Sequence, residues 1–354
     1  MERGGRGLVP ALSVNPSIPT MPACTVSVIM PIHAYTPFLE KSLESTLACL
    51  HTGMEMVLVD ERMDSLCRPL VNEALAHPGV RLVKAMGEGL VNGLLTGLAA
   101  ARGAYLARMD ADDMCLGDRF SLQQHYLDRH PEVGLVSCKV RYGGDSTKYP
   151  GFARFVTEVN DLDTHEKMVQ KRYADAVVIH PSVMFRRELV QLGSYRERNA
   201  AGQAVPEDFD LWLRWMNQGV RFAKLEECLL VWNDWEGRLS RSHPAYAKRA
   251  FREAAAEAFV PPAGKPVWIC GYGRTVERRL APFRRRGLKP AGYLALAPER
   301  REDQLPVITP AEAGQLRGKA LLLVMVGNLR GKRWIQQFLD TESFVEGSDY
   351  LWMV

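Results

Sequence analysis

The sequence predicts an α/β protein built on a mostly parallel sheet. Short apolar runs alternate with longer segments whose apolar residues recur at helical spacing, which is the order that produces βα units. One apolar run, at 104–109, leads directly into the carboxylates Asp110, Asp112 and Asp113. Ligand sites of parallel sheets lie at the carboxyl ends of the strands, so a site is expected at this edge. With 354 residues the chain is long enough for two domains.

The N-terminal part of the chain is predicted to alternate strands with helices. Strands are expected where apolar residues run together, and helices where apolar residues share one face. The predicted strands are 25–31, 55–60, 80–84, 104–109 and 133–140, and the predicted helices are 38–50, 66–76, 89–101 and 119–129.

The next part of the chain is predicted to contain a polar excursion, a strand, a helix and a further strand. These are expected at 141–165, 176–185, 206–217 and 226–232, respectively. The helix opens on Pro206 followed by the acids Glu207, Asp208 and Asp210. Proline followed by acids is typical of a helix N-terminus, where the helix dipole stabilises carboxylates. One of these acids could instead be a general base facing the first acidic cluster, and spacing alone leaves both interpretations open.

The C-terminal part of the chain has a Rossmann-like beginning. A Pro-Pro-Ala-Gly linker at 261–264 precedes a strand and a Gly-x-Gly turn at Gly271 and Gly273. Val276 stands where a third glycine would be expected, and no acid closes the second strand, so nicotinamide binding is disfavoured. The predicted organisation is a disordered lead (1–22), a first domain (23–260) and a small Rossmann-like α/β domain (261–354).

Composition narrows the class of protein. The net charge is only +4, so nucleic-acid binding is not expected. The seven cysteines form no CxxC pair, which favours a reducing compartment, and we expect a cytoplasmic protein. No apolar run is long enough for a membrane span. The C-terminal domain could also mediate homo-oligomerisation.

The acidic cluster has two interpretations. Carboxylates at Asp110 and Asp112, a DxD motif, offer the hard oxygen ligands that Mn²⁺ or Mg²⁺ prefers. The alternative is a solvated acidic turn in which Asp113 or Asp118 caps the following helix.

Several motifs occur together in a characteristic order. They are Val26 to Pro31, Val57 to Asp60, Ala101 to Tyr105, Met109 to Asp113, and Glu207 to Trp212. In order and spacing this set resembles the family 2 inverting glycosyltransferases, over roughly residues 25–245. The resemblance implies a nucleotide-diphospho-sugar transferase fold, of the GT-A-like type, with a C-terminal extension.

The resemblance also implies site roles. Asp110 would face the ribose or a metal, and Asp112 would ligate the metal, Mn²⁺ or Mg²⁺. Asp60, with Glu61, would contact the base, and the backbone near Pro31 would line its pocket. Asp208 would be the general base, with Glu207 as its neighbour or substitute, and His180 would lie on the acceptor side. Arg238 and Arg241 are candidates for phosphate binding, because a guanidinium group carries paired N–H donors. The alternative is that both belong to a mobile basic loop.

The activity implied is transfer of a single hexosyl or N-acetylhexosaminyl group. The donor is a nucleotide-sugar, a UDP-sugar in the first instance, and the acceptor is a glycan or another hydroxyl compound. Relatives with Asp-Asp-Gly-Ser after the second strand differ from this chain, which has Asp60-Glu61-Arg62-Met63. Two alternatives stay open, a nucleotide-binding protein without turnover and an oxidoreductase that uses the Gly-x-Gly turn.

Overall fold

The computed structural model describes residues 24–296 and 305–353. Within these residues the chain forms an eight-stranded mixed sheet followed by a five-stranded parallel sheet. The architecture confirms the predicted α/β class, with its mixed first sheet and its second parallel sheet. The predicted lead at 1–22 lies outside the described residues.

The first sheet is parallel on one side and mixed on the other. Its strand order is β3-β2-β1-β4-β7-β6-β8-β5, with β7 antiparallel to both β4 and β6. Because β1, β2 and β4 are parallel neighbours, their carboxyl ends meet at one edge. The strands are Val26–Ile32 (β1), Met54–Asp60 (β2), Val80–Lys84 (β3), Tyr105–Arg108 (β4), Met114–Cys115 (β5), Val133–Tyr142 (β6), Met184–Arg186 (β7) and Arg221–Trp232 (β8).

Helices cover both faces of this sheet. Alternation along β1 sends Val28 to one apolar cluster and Ile29 to the other, so both faces are buried. The helices in this part of the chain, not all of which pack on the sheet, are Leu39–Ala48 (α1), Cys67–Ala74 (α2), Leu90–Ala100 (α3), Arg119–Arg129 (α4), Pro150–Asn160 (α5), His165–Lys171 (α6), Glu207–Asn217 (α7), Leu239–Ser242 (α8) and Lys248–Ala258 (α9). Among residues 24–296 and 305–353, no helix has both the length and the apolarity to span a bilayer.

Two predicted segments differ in the structure. The prediction of an irregular excursion at 141–165 is wrong, because α5 occupies 150–160 and packs Val156 and Val159 into the core. The prediction of a strand at 176–185 is also wrong over most of its length. A 3₁₀ turn forms at His180–Ser182, where the Ser182 hydroxyl donates to the Ile179 carbonyl at 2.6 Å. Pro181 cannot donate to a sheet, so the strand begins only at Met184.

The second sheet has the order β11-β10-β9-β12-β13, and all its pairs are parallel. Its strands are Val267–Cys270 (β9), Gly292–Leu294 (β10), Val307–Ile308 (β11), Leu321–Val324 (β12) and Tyr350–Trp352 (β13), and its helices are Arg274–Arg285 (α10) and Leu329–Thr341 (α11). One apolar cluster joins Phe209 and Leu213 of α7 to Val267 and Ile269 of β9. The two sheets thus share packing, and the domain boundary at 260 stays a prediction.

Asp210 in α7 holds two arginines. Its carboxylate is buried and accepts from Arg196 at 2.6 and 2.8 Å and from Arg214 at 2.8 Å. We expect Asp210→Ala to lower the free energy of unfolding by about 3 kcal/mol, because two guanidinium groups lose a buried partner. Denaturant unfolding measures this. Glu166→Ala, which breaks the exposed pair with Arg221, is the control and should cost less than about 1 kcal/mol. Equal losses in both variants would contradict the argument.

Candidate active site

The acidic cluster lies where β4 ends beside β1. The Met109 N–H donates to the Ile29 carbonyl at 3.1 Å, and the Asp113 N–H turns back to the Asp110 carbonyl at 3.3 Å. This turn brings the carboxylates of Asp110, Asp112 and Asp113 together, with ligand atoms within 4.8 Å of one another. A strand followed by a tight turn thus places all three acids at one point.

Distant residues hold the acids of the cluster. Asp113 is fully buried, and its Oδ1 accepts from the Asn233 N–H at 2.8 Å. Asp112 Oδ2 accepts from the Trp235 indole N–H at 2.8 Å. Asp110 accepts from Arg108 and lies 4.0 Å from Arg238. The loop after β8 therefore closes over the end of β4.

The cluster has the properties of a cation site. Burial raises the pKa of Asp112 and, to a greater extent, that of Asp113, and neighbouring carboxylates act in the same direction. Asp113 Oδ2 is buried and has no hydrogen-bond partner among the described residues. A buried unpaired carboxylate oxygen costs free energy unless a donor or a cation meets it. The donor set of three carboxylates fits a hard divalent ion such as Mn²⁺ or Mg²⁺.

The interpretation of this segment as a solvated turn is wrong for Asp113, which is 0% exposed. Asp118 does occupy the N-cap position of α4, but its side chain makes no capping bond there. Its carboxylate instead lies 2.7 Å from Nε2 of His51.

A second acidic pair lies at the start of α7. Glu207 is buried, and its Oε2 accepts from the Tyr246 hydroxyl at 2.7 Å. Its Oε1 lies 3.7 Å from Nδ1 of His180, whose Nε2 is 2.9 Å from the Tyr195 hydroxyl. Both oxygens of the Glu207 carboxylate thus lie next to polar side chains.

Asp208 presents a different environment. Its side chain is only partly buried, and its Oδ1 accepts from the Phe209 N–H at 2.6 Å. Loss of solvation and the charge of Glu207 raise the pKa of Asp208 to about 6, against the opposing effect of His180. A carboxylate with this pKa is ionised at pH 7 and can accept a proton.

One cleft of about 1170 Å³ is lined by both acidic groups. Most of the residues predicted for the site line it, namely Pro31, Glu61, Asp110, Asp112, His180, Glu207, Asp208 and Arg238. Such a cleft is large enough for a nucleotide-sized ligand and more. The structure therefore brings together segments that are about 100 residues apart in the chain.

Asp60 and Arg241 are not among the cleft-lining residues. Asp60 ends β2, and its Oδ1 accepts from the Met63 N–H at 2.7 Å. Arg241 pairs with Asp234 at 2.6 Å and lies over the Tyr149 ring, 4.0 Å from its centroid. Their assigned roles stay predictions. Arg238 lies closer to the acids, between the Trp232 ring and Asp110.

Comparison with known proteins identifies the family. Residues 27–193 match the family described as Glycosyl transferase family 2. The chain is 30% identical over 210 residues to the amylovoran biosynthesis glycosyltransferase AmsE of Erwinia amylovora, covering 56% of this chain and 73% of that protein. The chain belongs to glycosyl transferase family 2. It is therefore a glycosyltransferase, as the sequence motifs predicted.

Other relatives of this family 2 glycosyltransferase agree with the assignment. It is 24% identical over 225 residues to the O-antigen biosynthesis glycosyltransferase WbnJ of Escherichia coli, covering 62% of this chain and 84% of that protein. The fold is also that of S. aureus TarS, residues 1–349, solved in complex with UDP-GlcNAc. That likeness has a TM-score of 0.50 and 14% sequence identity, and it spans 66% of each chain.

The sequence did not single out several residues of this glycosyltransferase site. Asn233 and Trp235 bond to the acidic cluster, and Tyr246 bonds to Glu207. Their types carry no motif, and their contacts span from 39 to 123 positions. Asp113 could have been predicted as a site residue, because it continues the acidic run. The sequence was equally compatible with a solvated turn in which Asp113 caps the next helix.

Proposed function

We propose that this family 2 glycosyltransferase is metal-dependent and inverting. It transfers a single sugar from a nucleotide-diphospho-sugar to a hydroxyl of an acceptor, with Asp208 as general base. The observation that carries this proposal is the single cleft, lined by Asp110 and Asp112 together with Asp208. Because TarS, which shares the fold, was solved with UDP-GlcNAc, a UDP-sugar is the first donor to test.

The acidic cluster is the proposed metal site. Asp110 and Asp112 would hold the ion, and Asp113, whose Oδ2 has no hydrogen-bond partner in the part of the chain that the structure describes, would complete the donor set. When bound, Mn²⁺ or Mg²⁺ supplies Lewis-acid stabilisation for the charge of the departing diphosphate. Arg238, beside Asp110, adds a fixed positive charge at the same place.

Inversion requires a base on the side of the sugar opposite the leaving diphosphate. Asp208 suits this role because it lines the cleft and because its pKa, raised to about 6, leaves an ionised carboxylate that can accept a proton. Glu207 suits it less, since its carboxylate is occupied by Tyr246 and lies near His180. We infer that Asp208 takes the proton of the acceptor hydroxyl during attack on the anomeric carbon, and that Glu207 positions the start of α7.

The pH profile tests the base. Since the ionised form of Asp208 is active, kcat/KM should rise with pH and level off above about 6, the value to which its pKa is raised. In Glu207→Gln the acid limb should move to lower pH, because the charge that raises the pKa of Asp208 is removed.

The assay follows release of nucleotide diphosphate from a panel of nucleotide-diphospho-sugars, beginning with UDP-sugars, with candidate acceptors, and NMR gives the anomeric configuration of the product. An acid limb that does not move in Glu207→Gln would contradict the assignment of Asp208. Retention of configuration would contradict inversion. Failure to use any nucleotide sugar would contradict the proposed donor class.

A further inference from the structure

The connections of the second sheet change direction between β9 and β12. The chain leaves β9 through α10 towards β10 on one side, whereas β12 continues through α11 towards β13 on the other side. In open α/β sheets such a change of direction is where a ligand crevice is expected, at the carboxyl ends of the strands. The loops after β9 and β12 border it. They approach closely at Gly271, where a Cβ would lie 3.0 Å from Val276 and 3.2 Å from Val326.

Arg279 of α10 extends to this crevice. Its Nη1 donates to the Met325 carbonyl at 3.3 Å, and a Cβ at Gly327 would overlap its Nη2. Its Nε is buried and has no hydrogen-bond partner within 24–296 and 305–353. No carboxylate in those ranges pairs with it. The Arg279 guanidinium therefore has at least one N–H donor that no acceptor in those ranges uses.

Further cations surround Arg279. Burial lowers the pKa of Arg279, and repulsion from Arg252 and Arg278 lowers it further. Partial loss of solvation and repulsion from Arg279 likewise lower the pKa of Lys332 in α11. Glu158 and Asp175 oppose that shift, yet neither forms an ion pair with Lys332. Lys332 Nζ also lies 5.8 Å from the centroid of the Trp352 ring, where β13 ends beside β12, so Lys332 and Arg279 bring positive charge to the same edge of the sheet.

The cations continue towards the active-site cleft. Lys248 lines that cleft and stands one helical turn before Arg252 on α9. Asp175 lines the cleft as well and acts on the pKa of Lys332.

We propose that the crevice is a second binding site, specific for a phosphate-bearing ligand, in which Arg279 and Lys332 hold the phosphate. Guanidinium groups match phosphate oxygens through paired donors, and several converging cations favour a multiply charged anion over a carboxylate. The phosphate could belong to a soluble molecule or to a lipid headgroup. This proposal is independent of the transferase mechanism.

Calorimetric titration with inorganic pyrophosphate tests the site. The buffer contains a chelator, so that no metal–pyrophosphate complex forms at the acidic cluster. We expect saturable binding that becomes about tenfold weaker in Lys332→Gln, as removal of one charge-assisted contact implies. Lys319→Gln, an exposed lysine before β12 at the opposite edge of the sheet, is the matched control and should bind as the wild type does.

Further variants keep the result interpretable. Arg279→Gln should weaken binding at least as much as Lys332→Gln, and circular dichroism checks its folding. If it does not fold, the exposed Lys332→Gln decides. Asp112→Asn should bind pyrophosphate as the wild type does, which separates this site from the donor site. Absence of saturable binding, or equal weakening in Lys319→Gln, would overturn the proposal.

A sedimentation assay identifies the source of the phosphate. The protein is mixed with phosphatidylcholine vesicles that contain or lack phosphatidic acid. Sedimentation only with phosphatidic acid, reduced in Lys332→Gln, supports a lipid headgroup. Binding of pyrophosphate without sedimentation supports a soluble ligand. Neither pyrophosphate binding nor sedimentation would overturn the proposal.

Discussion

Asp208→Asn should lower kcat for sugar transfer by about 10³-fold, within the range that general-base catalysis contributes. The amide has nearly the same shape as the carboxylate, but it cannot take a proton from the acceptor hydroxyl. Its oxygen can still accept from the Phe209 N–H, so α7 should begin as before. Steady-state kinetics with a nucleotide-sugar donor measures the loss.

Donor binding distinguishes lost chemistry from lost structure. Because the acidic cluster is unchanged in this variant, its affinity for nucleotide diphosphate should match that of the wild type. Asp161→Asn, which changes an exposed carboxylate after α5, is the matched control and should keep full activity. If Asp208→Asn retains wild-type kcat, another group is the base, and Glu207 becomes the first alternative.

Asp112→Asn should abolish metal-dependent binding of the nucleotide diphosphate. The metal contributes several kcal/mol to stabilisation of the leaving diphosphate, so kcat/KM should fall by about 10³-fold. Asparagine can still accept from the Trp235 indole N–H, so the loop after β8 should stay in place. Calorimetry with Mn²⁺ and with chelator, on the wild type and the variant, measures the binding directly.

Two results would overturn the metal assignment. One is wild-type binding that is equally tight in chelator and in Mn²⁺. The other is metal-dependent binding that survives in Asp112→Asn. If binding survives in Asp112→Asn but is lost in Asp113→Asn, the ion is held by the buried acid rather than by the DxD pair. The exposed Asp161→Asn again serves as the control.

Features predicted from local patterns agree with the structure. The apolar run before Asp110 forms β4, and α7 begins directly after Pro206 with the predicted acids in its first turn. Both predictions rest on neighbouring residues, since hydrophobic periodicity and helix-end preferences act over a few positions. The same rules gave a wrong prediction at 141–165. The polar residues there indicated an irregular segment, whereas the structure has α5, whose Val156 and Val159 pack into the core.

The sequence by itself determined the α/β class, the edge of the sheet that carries the acids, and the family to which the chain belongs. Only the tertiary structure decided which acidic side chains lie close together and which of them are hydrogen-bonded to other side chains. Asp112 is held by Trp235 across 123 positions, and Glu207 is held by Tyr246 across 39 positions. Strand order and loop packing create these contacts, and neither can be read from a periodic pattern of residues in the sequence. The same is true of burial, which separates the buried Glu207 from the partly buried Asp208, although both line the cleft and are adjacent in sequence.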